Sequence, residues 1–455
     1  MLTYELNKKP GMPLYEALYR CIRRDIVSGV LSPGEKLPSK RALAEHLKVS
    51  KITIEGAYSQ LLAEGYICSR EKVGYFVEKV EYVPASVPEQ PSVRVAREEM
   101  IDLTSNAPAR FPFSVWSRLQ REVMLDLGEQ LLLPLPNQGL WQLRSAIARQ
   151  LAQFRGMHVS PEQILVGAGT DFLYNLLIQL LGRDKCYACE EPGYGKIRMI
   201  YAAGGVKCIS APMDEQGVCP ETLQEAQVLH ISPAHHYPTG IITPLSRRQE
   251  LLRWAGTDKW IIEDDYDSEF RFNARPMPTL QSLDKQGRVI YMNTFSKTLA
   301  PSIRISYMVL PEELMTQFQQ RLGFYSCTVP SFEQYTLARF LDDGYFEKHL
   351  NRMRKFYKAR RNRVLTAISS CPYGDRISIT EQNAGLHFLL RVDTAISDKA
   401  LTEKLKAMGI RINALSSYYH DGKVEDSHTL VVNYSGLTDE ALSRLEAALR
   451  KPSVF

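Results

Sequence analysis

Apolar residues recur at helical spacing near the start of the chain. Leu14, Leu18, Ile22 and Ile26 share one face, and Gly29 with Ser32-Pro33-Gly34 ends the run. Ser39 is placed to cap a second helix carrying Leu43 and Leu47, and Ser50 a third carrying Ile54, Ala57, Leu61 and Leu62, with Gly65 as its stop. The period then shortens: Tyr66-Ile67-Cys68 and Tyr75-Phe76-Val77 are β-type runs on either side of Ser69–Gly74, which has the composition of a hairpin loop. Three helices followed by a basic hairpin predict a winged helix-turn-helix over residues 1–80.

Residues 81–100 change character again, with three prolines and few large apolar side chains in 81–92, which predicts a semi-extended linker. From Ile101 to the end, β-like runs (Gln163–Val166, Trp260–Ile262, Val289–Tyr291) alternate with helical segments. That alternation predicts an α/β domain with a mostly parallel central sheet over 101–455.

Composition sharpens this picture in two places. The chain of 455 residues carries a net charge of only +5, yet residues 1–80 hold 13 Lys and Arg against 9 Asp and Glu. A local basic excess on a winged helix points to a polyanion, double-stranded DNA. No basic segment followed by an apolar run opens the chain, and no stretch approaches the roughly 20 apolar residues of a membrane span, so a cytoplasmic protein is expected. The eight cysteines are scattered and are expected as reduced thiols. Cys186 and Cys189 form a CxxC inside a strand-like run with no second ligand pair nearby, which reads as packing, and no metal site is expected.

In the winged unit, Lys51 and Thr53 open the third helix and are placed to reach base edges or phosphates. Arg41 can hold a phosphate, Arg70 and Lys72 flank the hairpin loop, and Gly74 allows close backbone approach. Any one of these charges could simply be solvated; the ordered set on this fold favours DNA. The segments Pro13-Leu14-Tyr15, Leu37-Pro38-Ser39-Lys40-Arg41, Val49-Ser50-Lys51-Ile52-Thr53 and Glu64-Gly65 resemble the GntR type of winged helix.

The larger domain carries a second chemistry. Val166-Gly167-Ala168-Gly169-Thr170-Asp171 joins a strand to an apolar helix, so the backbone N–H groups of Gly169 and Thr170 suit a phosphate. The strand Trp260-Ile261-Ile262 ends in Asp264, Asp265 and Asp267, any of which could pair with a protonated ring nitrogen. The run Tyr291–Arg304 resembles the Schiff-base segment of fold-type I pyridoxal-phosphate (PLP) proteins, with Thr294 three residues before Lys297 and Arg304 seven after it.

That resemblance makes Lys297 the Schiff-base lysine, Asp264 the partner of the pyridine nitrogen and Tyr266 a donor to the 3-oxygen. It further implies Thr294 and Arg304 at the phosphate and the Tyr194 ring against the cofactor face. Such a lysine must lose its proton, which calls for burial and nearby positive charge, with Arg304 a source. Pro233–Gly240 resembles the family's Asn-Pro-Thr-Gly turn, with Tyr237 where Asn is usual.

A GntR-type winged helix joined to a fold-type I PLP-dependent aminotransferase-like domain resembles the MocR/GabR subfamily. The resemblance implies a regulator that binds operator DNA, a small amine or amino-acid effector and a head-to-tail homodimer. Two departures stand out. Leu133–Gly139 lacks the Tyr-Gly-Asp-Pro often found there, and Thr429–Ser435 lacks the arginine that holds a substrate carboxylate, for which Arg411 or Arg198 could substitute. The competing readings are an active aminotransferase with a DNA-binding appendage and a dimerisation module that no longer binds PLP.

Overall fold

A computed structural model describes residues 2–4, 13–70, 73–79, 100–105, 110–272, 277–380, 384–420 and 425–450. The chain forms two compact units, Met1–Val95 and Ala96–Phe455. The linker expected at 81–100 lies, up to residue 99, outside the described residues.

In the first unit, α1 (Leu14–Val27), α2 (Lys40–Leu47) and α3 (Lys51–Ala63) precede a hairpin of β1 (Ile67–Arg70) and β2 (Gly74–Val77). The Ser39 hydroxyl accepts from the Ala42 N–H and that of Ser50 from the Thr53 N–H, each at 3.2 Å, satisfying donors that a helix start leaves orphaned. Lys48, at φ 53°, makes the left-handed turn between α2 and α3. Leu18, Ile22, Leu43, Ile54, Ala57, Tyr58 and Leu61 fill the core beneath Ile67 and Val77.

The second unit is built on strands β3 (Ile101–Asp102), β4 (Ile164–Gly167), β5 (Cys186–Glu191), β6 (Lys207–Asp214), β7 (Gly217–Val218), β8 (Val228–Ile231), β9 (Trp260–Asp265), β10 (Val289–Thr294) and β11 (Ser306–Val309). All but β3 form one sheet in the order β4-β11-β10-β9-β8-β5-β6-β7. The run β10-β9-β8-β5-β6 is parallel throughout. On β10, Ile290 and Met292 pack into one apolar cluster, while Val289 and Tyr291 pack into others. Both faces are covered, which is why these strands read as unbroken apolar runs instead of alternating ones. Beyond them, β12 (Ile377–Thr380), β13 (His387–Val392), β15 (Asn413–Ala414) and β16 (Thr429–Asn433) form a second, antiparallel sheet, and β14 (Ile410–Arg411) pairs with β3. Among the described residues no helix is long and apolar enough to cross a membrane.

Cys186 and Cys189 sit three apart on β5, so their side chains leave opposite faces and share no site. Cys189 instead meets Cys208 of the neighbouring β6, Sγ to Sγ 3.4 Å.

Candidate functional sites

In the winged unit, Arg41, Lys51 and Arg70 are exposed. Lys51 lies 3.7 Å from Glu55 on the next turn of α3, and the Arg70 guanidinium stacks 4.5 Å from the centre of the Phe76 ring. The Thr53 hydroxyl is 2.9 Å from the Ser50 hydroxyl, so this half-buried side chain takes part in the cap that starts the helix. Gly74 has φ 133°, and a Cβ there would come within 3.2 Å of Lys36. Lys72 lies outside the described residues.

The parallel strands of the second unit end around one cavity of about 350 Å³. Thr170, Tyr194, Arg198, Tyr237, Asp264, Tyr266, Thr294, Lys297 and Arg304 all line it. Ligands of open α/β sheets bind at the carboxyl ends of the strands, where β5, β8, β9 and β10 here deliver their polar residues. Arg411 is elsewhere. The parallel pairing of β14 with β3 sets it opposite Asp102, and its exposed guanidinium lies 3.7 Å from that carboxylate.

The three aspartates at the end of β9 and just beyond it have separate partners. Asp265 is ion-paired with buried Arg155 and accepts from the Tyr291 hydroxyl at 2.7 Å. Asp267 accepts from His235 Nδ1 at 3.0 Å. Asp264 alone among them faces the cavity; its Oδ2 accepts from the Tyr174 hydroxyl and lies 3.6 Å from His230 Nε2. Its Oδ1 is buried with no hydrogen-bond partner. A buried acceptor without a donor is costly, so Oδ1 is set for a cationic or N–H donor entering from the cavity.

Gly169, at φ 91° and ψ 162°, leads directly into the helix Thr170–Leu181. A Cβ on Gly169 would lie 1.9 Å from Arg304 Nη2, so the absence of a side chain is what lets that guanidinium approach the helix start. Arg304 Nη2 is 3.4 Å from the Ala168 carbonyl oxygen and 3.5 Å from Asp171. Thr294 Oγ1 accepts from the Ser296 N–H at 3.1 Å and from the Ser306 hydroxyl at 2.8 Å. With both lone pairs engaged, its own hydrogen is left to donate.

Burial holds the Lys297 ammonium below the usual lysine range, while the Asp267 carboxylate works against that shift. The positive charge expected from Arg304 is not the cause; desolvation is. Burial likewise raises Tyr266 well above the ordinary phenol range, keeping it a donor, and its hydroxyl is 3.4 Å from His235 Nδ1.

Sequence reasoning missed Tyr174, Glu190 and His230, which also line the cavity. His230 interrupts the apolar strand Val228–Ile231, and its Nδ1 is 2.7 Å from the Tyr201 hydroxyl. Glu190 accepts from the Ser232 N–H at 3.0 Å, and burial pushes its carboxyl well above the usual range. A polar residue inside an apolar strand was the available signal for His230, whereas Glu190 stands beside Glu191 at the end of β5. Among the described residues the one grouping of metal-ligand side chains is His235, Asp267 and His387. Hydrogen bonds already engage His235 Nδ1 with Asp267 and His387 Nε2 with the Pro238 carbonyl.

Residues 14–77 match the family of bacterial regulatory proteins of the gntR type, and residues 98–449 match aminotransferase class I and II. The chain is 37% identical to the HTH-type transcriptional regulator YdeL of Bacillus subtilis, over 98% of this chain and 99% of the relative. It is 32% identical to the probable rhizopine catabolism regulatory protein MocR of Rhizobium meliloti, over 96% and 93%. The chain belongs to the MocR-like GntR regulators. This MocR-like regulator is also 32% identical to the pyridoxine biosynthesis transcriptional regulator PdxR of Corynebacterium glutamicum, over 92% and 91%. Its larger unit is similar to a kynurenine aminotransferase of Pyrococcus horikoshii solved with PMP, with TM-score 0.67 and 25% identity over 78% of this chain and 92% of that one. The fold is therefore that of fold-type I PLP aminotransferases joined to a winged helix, and GntR regulators of this kind bind operator DNA.

Proposed function

We propose that this regulator binds PLP in the 350 Å³ cavity and couples its occupancy, with or without a small amine or amino-acid effector, to operator binding. The observation that carries the reading is the unpartnered, buried Asp264 Oδ1 in the same cavity as a lysine whose charged form is disfavoured. When bound, PLP supplies an aldehyde to a neutral amine and a pyridine ring that accepts electron density.

The residues divide that work. Lys297, more easily neutral than a surface lysine, is the amine. Asp264, held by the Tyr174 hydroxyl and with His230 Nε2 3.6 Å away, would pair with the ring nitrogen and keep it protonated. Tyr266 would donate to the ring oxygen and Tyr194 would pack against the ring, with Tyr237, its hydroxyl 2.7 Å from that of Tyr418, on the same cavity wall. Arg304, Thr294 and the N–H groups of Gly169 and Thr170 hold the phosphate, a dianion that needs several charge-assisted donors. Arg198, on the cavity wall 3.4 Å from Glu191, is the cation for an effector carboxylate; Arg411, facing Asp102, is not.

Arg41, Lys51, Arg70 and Lys72 supply phosphate and base contacts in the winged unit, with Gly74 at the hairpin. The working form is a head-to-tail homodimer, which presents two winged units to a two-fold operator.

The reading is tested by borohydride reduction of the PLP-treated chain followed by peptide mass spectrometry. A phosphopyridoxyl group on the Lys297 peptide, lost in Lys297→Ala, is expected. Labelling spread over surface lysines and unchanged in that variant would refute it.

A further inference from the structure

Helix α3 carries an aliphatic side chain where its own pattern asks for a polar one. Ile54, Ala57, Tyr58 and Leu61 form its buried face. Ile52 precedes Ile54 by two residues, which turns it to the opposite side of the helix, where it is 78% exposed. A β-branched residue gains nothing there from helix propensity. Lone exposed aliphatic residues are ordinary on protein surfaces, so exposure alone decides nothing.

Position decides it. Ile52 sits in the first turn of the second helix of a helix-turn-helix pair, the turn from which such units reach base edges. Its flanking residues are partly committed: Lys51 lies 3.7 Å from Glu55, and the Thr53 hydroxyl is 2.9 Å from Ser50 in the cap. The most exposed side chain in that turn therefore has no donor or acceptor. On the floor of the major groove the one apolar group is the 5-methyl of thymine.

We propose that Ile52 is a specificity residue that reads thymine through its 5-methyl group. This rests on the operator-binding reading of the winged unit. No hydrogen bond is involved; discrimination comes from removing the methyl and the isoleucine side chain from water together, about fourfold in affinity for each methyl covered.

The test uses the full chain with PLP and duplexes recovered from a random pool by repeated selection. Each thymine of the recovered duplex is replaced in turn by deoxyuridine, which deletes the methyl and leaves every hydrogen-bonding group in place. Anisotropy titration at one fixed salt concentration should show wild-type affinity falling about fourfold at one thymine per half-site. Ile52→Ala should bind the thymine and uridine duplexes alike, and Ile52→Val should keep most of the discrimination. Equal wild-type affinity for all substituted duplexes, or an undiminished uridine effect in Ile52→Ala, overturns the proposal while leaving operator binding intact. If no duplex is enriched at any salt, operator binding itself falls and this inference with it.

Discussion

Replacing Gly169 with alanine should weaken PLP binding without touching any side chain that contacts the cofactor's ring. Two costs follow from the geometry. The residue sits at φ 91° and ψ 162°, a region open essentially to glycine, so an alanine there costs about 1–3 kcal/mol of folding stability. Its Cβ would also lie 1.9 Å from Arg304 Nη2, and because that is the end of a flexible side chain, the guanidinium yields. Arg304 then leaves its position near Ala168 and Asp171, and the phosphate loses a charge-assisted donor worth about 1.5–3 kcal/mol. At 1.4 kcal/mol per factor of ten, PLP affinity should fall roughly 10- to 100-fold. Absorbance titration of the apo chain measures this, and urea unfolding of the same preparation separates the backbone strain from the lost contact. Arg304→Ala should cost a similar factor, and the double variant should cost little more than either alone, since both act through one guanidinium. A Gly169→Ala chain that binds PLP within twofold of wild type, or losses that simply add, would refute the reasoning.

Arg248 is fully buried, donating to the carbonyls of Thr243, Pro278 and Pro233 at 2.9, 2.8 and 2.6 Å and lying 3.8 Å from buried Glu263. Arg248→Ala leaves buried Glu263 with the Leu280 and Gln281 N–H groups but no counter-charge, and should destabilise the larger unit by about 3–5 kcal/mol in urea unfolding; a loss below about 1 kcal/mol would contradict that burial argument. Burial pushes His236 down to about 3, so its proton is bound preferentially by the unfolded chain, where the ordinary value is 6.5. Its contribution is therefore full above about pH 6.5 and drains as pH falls, by about 1.4 kcal/mol at pH 5.5. Because buried Glu190 and Glu263 respond in the opposite sense, the measurable quantity is the stability gap between His236→Gln and wild type, which should shift by that amount in the variant's favour between pH 7.5 and 5.5. A gap independent of pH would contradict the assignment.

Much of this architecture is legible along the chain, because periodicity reports which faces are buried. The caps at Ser39 and Ser50 and the change of period at Tyr66 outline the winged unit, and apolar runs such as Val289–Tyr291 mark strands covered on both faces. The cavity is legible where a motif carries its own geometry, as around Lys297. It is not legible where chemistry depends on packing between distant segments. Nothing in the order of residues says that Asp265 turns to Arg155 and Asp267 to His235, leaving Asp264 for the cavity. Nor does it say that β14 pairs with β3 and takes Arg411 to Asp102. His230 and Glu190 are hidden for the same reason: the partners of each come from other elements.

The central claim is that cofactor occupancy and DNA binding are linked in one molecule, and linkage requires that PLP favour one DNA-binding state over another. The most direct measurement is an anisotropy titration of the full chain, with and without PLP, against the DNA upstream of its own gene at one stated salt concentration. The account predicts sequence-specific binding whose affinity changes on adding PLP, with the change abolished in Lys297→Ala. Specific binding that is identical with and without PLP, in a preparation shown to carry the cofactor on Lys297, would contradict it.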